Sequence, residues 1–304
     1  MQKFISNPEN ILTIGDFLTW ASEEFITQQL YFGHGTDNAW DEAVMLVLYV
    51  LQLPAENDSA ILSTELNQPQ RDKLILLAQH RIATRIPVPY LTNEAWFAGE
   101  RYYVNQDVLI PRSPLAETIA NHFQPWLGTT QPKHILDLCT GSGCLAIYCA
   151  KQFPSSQVDA IDISARALQV ANKNINLHAC TERVHAIESD LFKAVAGQRY
   201  DIIISNPPYV GLDEMQELPA EYTHEPSLAL ESGAEGLDLT IQILRQAKEY
   251  LQPDGLLIVE VGYSWPSLVD MYPQVPFTWL EFANGGEGVF LLTAEELKSF
   301  AGVF

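Results

Sequence analysis

The spacing of apolar positions changes partway along the chain. From Thr13, the residues Ile14, Leu18, Ala21 and Phe25 follow one another at steps of four, three and four, which lines one face of a helix. Residues 41–53 and 67–85 read as two further helices. Pro87 and Pro89 stop this pattern, because each fixes φ and lacks an N–H. The aromatic-rich run EAWFAGERYYV at 94–104 is split by Ala98 and Gly99 and predicts a β-hairpin. Beyond Pro132 the chain becomes short apolar strands, at 134–138, 157–161, 184–188, 201–205, 256–260, 277–282 and 288–293, with helices at 143–153 and 164–178 between the early ones. Helices of that length serve as crossovers between parallel strands. The pattern predicts a helical first third and then an α/β domain whose mostly parallel sheet is covered on both faces. Ligands bind such a sheet in the crevice at the carboxyl ends of its strands.

The first of these strands runs into Asp137-Leu138-Cys139-Thr140-Gly141-Ser142-Gly143-Cys144. Glycines suit such a loop, since the backbone must turn tightly and let a ligand approach without a Cβ in the way. A Gly-x-Gly alone equally marks an ordinary helix start, and Gly141, Gly143 and Ala146 also fit the dinucleotide pattern G-x-G-x-x-A. Asp137 argues against a dinucleotide: a carboxylate before the loop repels a pyrophosphate at the helix N-terminus and attracts a cation. S-adenosylmethionine, which carries a sulfonium, an ammonium and a ribose, suits the arrangement. The second strand ends in Asp162, placed to accept hydrogen bonds from a ribose, and the end of the third carries Asp190.

The fourth strand runs directly into Asn206-Pro207-Pro208-Tyr209. Elsewhere this would be a rigid turn and nothing more. Over the crevice, level with the glycine loop, it carries chemistry. Methylating a planar, conjugated NH2 group requires its weak nitrogen lone pair to point at an electrophilic methyl. The Asn206 side-chain oxygen and the Pro207 carbonyl, held rigid by two prolines, can each accept one N–H, and Tyr209 offers a flat face. Such positioning aims the nitrogen and stabilises positive charge developing on it. Two substrates fit the clamp: the exocyclic amine of adenine and the carboxamide of Asn or Gln.

Charge bears on that choice. The chain has 304 residues, 17 Lys+Arg and 38 Asp+Glu, a formal charge of −21. Holding nucleic acid by phosphate neutralisation needs the opposite balance, and an adenine enzyme acting on a duplex must bind a polyanion and extrude a base. Residues 200–244 contain no Lys or Arg and nine acids: Asp201, Asp213, Glu214, Glu217, Glu221, Glu225, Glu231, Glu235 and Asp238. Acidic runs are usually solvated faces. This one follows the tetrapeptide and is expected to wall the substrate entrance, attracting a basic protein and repelling nucleic acid. A hydrophobic content of 47 % excludes global disorder. No apolar run reaches about 18 residues, and the N-terminus MQKFISNPEN lacks a basic-then-apolar layout, which points to the cytoplasm. Cys139, Cys144, Cys149 and Cys180 form no C-x-x-C pair and are expected to be reduced and mostly buried.

DLCTGSG, the strand-end Asp162, SDLF at 189–192, SNPPYV at 205–210 and HEPSLALESGAEGLD at 224–238 together resemble the S-adenosylmethionine-dependent protein-glutamine N5-methyltransferases. The resemblance spans nearly the whole chain and is strongest from Tyr90 onward. It implies a Rossmann-like class I methyltransferase domain with a seven-stranded, mostly parallel sheet at 111–304, a β-hairpin linker at 93–110, and a small helical domain at 1–92 that is a candidate for substrate recognition. IPRSPLAE at 110–117 stands in place of the I-P-R-P-E-T of the release-factor type. With IPVPYLTNEAWFAGERYYV before it and GVFLLTAEEL near the end, it resembles the branch that methylates a glutamine of large-subunit ribosomal protein three. Release-factor glutamine methylation and adenine N6-methylation are the alternatives. Carried over by motif, Cys139, Thr140, Gly141, Ser142, Gly143, Asp162, Leu191 and Asn206 would contact the cofactor, and Asn206, Pro207, Pro208 and Tyr209 would hold the glutamine amide. Arg112 is a candidate on the substrate side, with an ordinary surface ion pair as its plain alternative. Cys139 stands where the general pattern D-x-G-x-G-x-G has its first glycine. The implied cofactor is S-adenosylmethionine, released as S-adenosylhomocysteine, with no metal. The implied partner is a basic ribosomal protein, free or in an assembly intermediate, with no stable binding to nucleic acid or membrane.

Overall fold

A computed structural model describes residues 8–55, 58–129 and 131–304. Residues 1–7, the start of the stretch read above for a targeting signal, lie outside the described residues. The chain divides into two compact units: Met1–Gln106 with Pro219–His224, and Asp107–Leu218 with Glu225–Phe304. The hairpin region is therefore divided, its strands belonging with the helices and the chain from Asp107 with the sheet, and the short segment 219–224 belongs with the helices.

In the first unit the expected helices occupy Ile14–Thr27, Ala39–Leu51 and Gln68–Thr84. Two of them open on capping boxes. The Thr13 hydroxyl accepts from the Asp16 N–H at 3.2 Å while the Asp16 carboxylate accepts from the Thr13 N–H at 2.9 Å, and Asn67 and Gln70 repeat the exchange. Phe17, Ala21 and Phe25 pack with Ala43, Leu46, Leu74 and Ala78 in one apolar core. The hairpin strands are β1 (Glu94–Phe97) and β2 (Glu100–Tyr103), paired antiparallel. Ala98 and Gly99 between them both have positive φ, at 50° and 78°, as a two-residue hairpin turn with the twist of its strands demands.

The second unit is built on seven strands: β3 (His134–Leu138), β4 (Gln157–Asp162), β5 (Val184–Glu188), β6 (Tyr200–Ser205), β7 (Leu251–Glu260), β8 (Thr278–Trp279) and β9 (Val289–Thr293). Their order in the sheet is β5-β4-β3-β6-β7-β9-β8, parallel through β7 and antiparallel where β9 joins β7 and β8. Two expected strands differ. β7 starts at Leu251, because the Pro-Asp-Gly run that reads as a turn is carried through a register shift opposite Tyr200 and Ile202. The strand expected at 277–282 shrinks to Thr278–Trp279 at the sheet edge, where only β9 offers backbone partners. The chain moves outward from β3 through β4 to β5, then returns to lay β6 on the other side of β3. That reversal opens a ligand crevice between the carboxyl ends of β3 and β6. Among the described residues no helix is long and apolar enough to cross a membrane, and no group of three or more His, Cys, Asp or Glu is gathered to hold a metal ion.

Candidate active site

The strand ends lie level. Leu138 pairs with Ile161 on one side and Ser205 on the other, and Asp162 pairs with Glu188. The glycine loop and the Asn206–Tyr209 turn thus leave the sheet side by side, and the Ser205 hydroxyl donates to the Leu138 carbonyl at 2.9 Å to tie the two exits together.

Asp137 is fully buried inside β3. Its Oδ2 accepts from the Thr140 hydroxyl at 2.6 Å and the Ala146 N–H at 3.1 Å, which closes the loop onto the following helix, Cys144–Gln152. Its Oδ1 is buried with no hydrogen-bond partner among the described residues. Burial, only partly offset by those two bonds, pushes the carboxyl up to about 7. Cys139 has φ +59°, so it holds the left-handed conformation that a glycine adopts freely, and burial pushes its thiol well above the usual range. Asp162 fastens the loop from the neighbouring strand, accepting from the Gly141 N–H and the Ser164 N–H, each at 2.9 Å. The buried Asn174 amide donates to the Ser142 carbonyl at 2.8 Å. A Cβ at Gly141 would meet nothing within 4 Å, so the loop is open at that residue. Asp190 lies two residues beyond β5 and pairs with Lys193 at 2.6 Å, while the Leu191 side chain is committed to the sheet core.

In the turn, Pro207 and Pro208 are buried and Asn206 and Tyr209 partly so. Asn206 Oδ1 is itself buried with no partner among the described residues. An orphaned buried acceptor is costly unless something supplies it with a donor. The chain that follows cradles the turn: Val210 and Ser232 exchange backbone bonds with Leu230 and Val210, at 2.7 and 3.0 Å, and Leu212 donates to Gly233 at 3.0 Å. This gives the LESG portion of the 224–238 motif a concrete task.

Arg112 holds Glu225 in a two-bond fork, at 2.6 and 2.7 Å, and the Glu225 side chain is fully buried. It is therefore not the exposed surface ion pair considered above. The expected nine-acid wall needs correction. Asp201 sits at the amino end of β6, where its carboxylate accepts from the Lys133 and His134 N–H groups, and Glu221 and Glu225 are buried against arginines. Six of the nine are exposed: Asp213, Glu214, Glu217, Glu231, Glu235 and Asp238. The sequence reading missed Glu260, whose carboxylate accepts from Tyr209 and Ser113. The signal for it is an acid closing the otherwise apolar strand segment LLIVE.

A family model described as "Methyltransferase small domain" matches residues 116–235. The chain is 45 % identical over 296 residues to the ribosomal protein uL3 glutamine methyltransferase of Francisella tularensis, covering 97 % of this chain and 94 % of that one. It is likewise 45 % identical over 290 residues to the protein of the same name from Neisseria gonorrhoeae, covering 95 % and 97 %. Among solved structures, the hMettl16 catalytic domain in complex with MAT2A 3'UTR hairpin 6 superposes with a TM-score of 0.52 at 14 % identity over 82 % of this chain and 91 % of that one, a likeness of fold alone. With identity at this level along almost its whole length, the chain belongs to the ribosomal protein uL3 glutamine methyltransferase family.

Proposed function

We propose that this protein transfers a methyl group from S-adenosylmethionine to the side-chain amide nitrogen, N5, of a glutamine in ribosomal protein uL3. The observation that carries the reading is the pairing of Leu138 with Ser205, which sets the Asn206–Tyr209 turn beside the glycine loop with Asn206 Oδ1 buried and lacking a donor among the described residues. The site fits a cationic nucleoside cofactor. Asp137 keeps one carboxylate oxygen unspent, Gly141 leaves the loop open, and each Asp162 oxygen retains a lone pair for a ribose hydroxyl. When bound, S-adenosylmethionine supplies an electrophilic methyl on its sulfonium. Cys139, Thr140, Ser142 and Gly143 would hold it, together with Leu191 and with Asp190, two residues beyond β5.

An amide nitrogen is a poor nucleophile because its lone pair is delocalised into the carbonyl. Asn206 Oδ1 and the Pro207 carbonyl each accept one of its N–H bonds, which turns the lone pair toward the methyl and stabilises the positive charge that grows as nitrogen takes the methyl; the S–C bond breaks, S-adenosylhomocysteine leaves, and one of the two N–H protons is lost to solvent to restore a neutral amide. Pro208 keeps that carbonyl from moving, and Tyr209 provides the flat surface for the amide plane. Arg112 serves the substrate side by fixing Glu225. The six exposed acids favour a basic ribosomal protein, met free or in an assembly intermediate in the cytoplasm, over nucleic acid. The helical unit contributes to recognition of that protein. Deleting residues 1–89 is a poor test of this, since Glu221 of the same unit would lose Arg81. Trp40→Ala and Leu76→Asp, both at exposed positions, should raise KM for uL3 and leave cofactor affinity unchanged.

The deciding experiment incubates the protein and S-adenosylmethionine with uL3, release factors and RNA in parallel. One methyl gained on a uL3 glutamine, and reduced about 100- to 1000-fold by Asn206→Ala, is the expected result. Unmodified uL3 beside a methylated release factor or RNA would overturn the reading.

A further inference from the structure

We infer that Glu260 is a positioning residue for methyl transfer, holding Tyr209 in the plane that receives the amide; the inference rests on the functional reading above. Glu260 ends β7, the strand beside β6, and is 4 % exposed. Its Oε1 accepts from the Tyr209 hydroxyl at 3.0 Å and its Oε2 from the Ser113 hydroxyl at 2.5 Å, so both oxygens are engaged. Four residues on, the Ser264 hydroxyl donates to the Tyr209 carbonyl at 2.8 Å. Between them Gly262, at φ +48°, lies against the tyrosine ring so closely that a Cβ there would fall 2.6 Å from Cε2 and 3.0 Å from Cδ2 and Cζ. One short segment, from the last residue of β7 to Ser264, thus holds Tyr209 by hydroxyl, ring and backbone.

The carboxylate is an expensive way to build this corner. Leu256, Leu257, Ile258 and Val259 before it are all buried and apolar, and an apolar residue in its place would carry no desolvation cost. Burial accordingly raises the Glu260 carboxyl, and the two hydroxyl donors and Arg112 offset only part of the effect. What a carboxylate adds is a strong, directional acceptor for a phenol, which fixes the ring's tilt as well as its place. Packing alone would leave that tilt to the ring's own torsion. Where the acceptor oxygens of Asn206 and Pro207 hold the amide hydrogens, a ring that rocks would let the amide plane rock with it, and small misplacements cost rate.

The test uses the full chain and a double-mutant cycle. Glu260→Gln and Tyr209→Phe should each lower kcat roughly tenfold, keep KM for uL3 and for S-adenosylmethionine within about twofold, and fail to compound in the double variant. Wild-type kcat in Glu260→Gln, or two losses that multiply, would overturn the inference. If Glu260→Gln does not fold, Tyr209→Phe decides alone, since it removes the hydroxyl that Glu260 accepts from; undiminished kcat there is equally fatal. Ring-labelled tyrosine NMR without cofactor gives a readout independent of turnover. The resonance that vanishes in Tyr209→Phe should shift or broaden in Glu260→Gln, and an unmoved resonance would refute the contact. Absence of methyl transfer by the unaltered protein would instead overturn the functional reading, and the catalytic role with it, while the resonance still reports on the contact itself.

Discussion

Asp137 combines two demands in one side chain. Its Oδ2 staples the glycine loop through Thr140 and Ala146, while its Oδ1 is buried and has no partner among the described residues. With the carboxyl raised to about 7 by burial, the folded protein holds this proton where an unfolded chain, with an ordinary carboxyl near 3.8, has released it. The folded state therefore binds more protons between those values, so this residue's contribution to stability is full below pH ~3.8 and is lost as pH rises through about 7. Urea titrations of the cofactor-free protein should show that decline, and it should flatten in Asp137→Asn. A cationic cofactor shifts the same equilibrium the other way, because it favours the ionised carboxylate. Affinity for S-adenosylmethionine should rise from about pH 6 to about pH 8 with release of a proton, and calorimetry in buffers of different ionisation enthalpy will detect it. A proton-neutral, pH-independent affinity would contradict the assignment of Asp137 to the cofactor. Cys139 makes a related point: the loop keeps its left-handed turn even with a cysteine at the first glycine position.

Among the elements of the helical unit, the helix Gln68–Thr84 carries the buried hub. Arg81 is 1 % exposed and meets Glu42 at 2.6 Å, Glu221 at 3.2 Å, and the carbonyls of Tyr31 and Arg85 at 2.9 and 3.1 Å. Burial lifts the Glu42 carboxyl despite Arg81. Burial also opposes ionisation of Glu221, but the Tyr31 N–H and the arginine outweigh it, so that carboxyl lies below the ordinary range. Removing the guanidinium would leave two buried acids without their main counter-charge. Arg81→Ala should therefore cost about 3–5 kcal/mol in urea unfolding, as for other broken buried pairs; a loss within the range of exposed pairs, about 0–1 kcal/mol, would show that water reaches the site. The starts of two of these helices are encoded locally, because Thr13 with Asp16 and Asn67 with Gln70 are exchanges within three residues. Glu221 as a partner of Arg81 was not, since 140 residues separate them.

For the molecule as a whole, a net charge of −21 is a statement about encounters more than about fold. Of the nine acids in 200–244, the six exposed ones are those proposed to act on an approaching substrate, because charges already paired or buried contribute little field to solvent. Their attraction for a basic protein is screened within about 10 Å at 0.1 M salt. KM for uL3 should climb several-fold between low and physiological ionic strength with kcat unchanged, and Glu214→Gln with Glu217→Gln should shallow the climb. A KM indifferent to salt would assign recognition to apolar contact instead.

The sequence by itself determined the alternation of strands and helices, the hairpin, the glycine loop with its strand-end acids and the Asn206–Tyr209 turn. Each of these is written in short-range periodicity, in proline and glycine placement, or in contiguous motifs. It could also place the turn over the crevice, since both follow strands of a doubly wound sheet. Only the tertiary structure decided which acids are partners rather than surface: Glu221 and Glu225 are held by Arg81 and Arg112, and Asp201 by the backbone at the other end of the sheet. The same holds for Glu260, Gly262 and Ser264, whose hold on Tyr209 spans more than fifty residues of chain. The reason is physical. Periodicity and propensity report what a residue does to its neighbours in sequence, whereas burial of a charge and the donor that compensates it depend on which distant strands the sheet brings together.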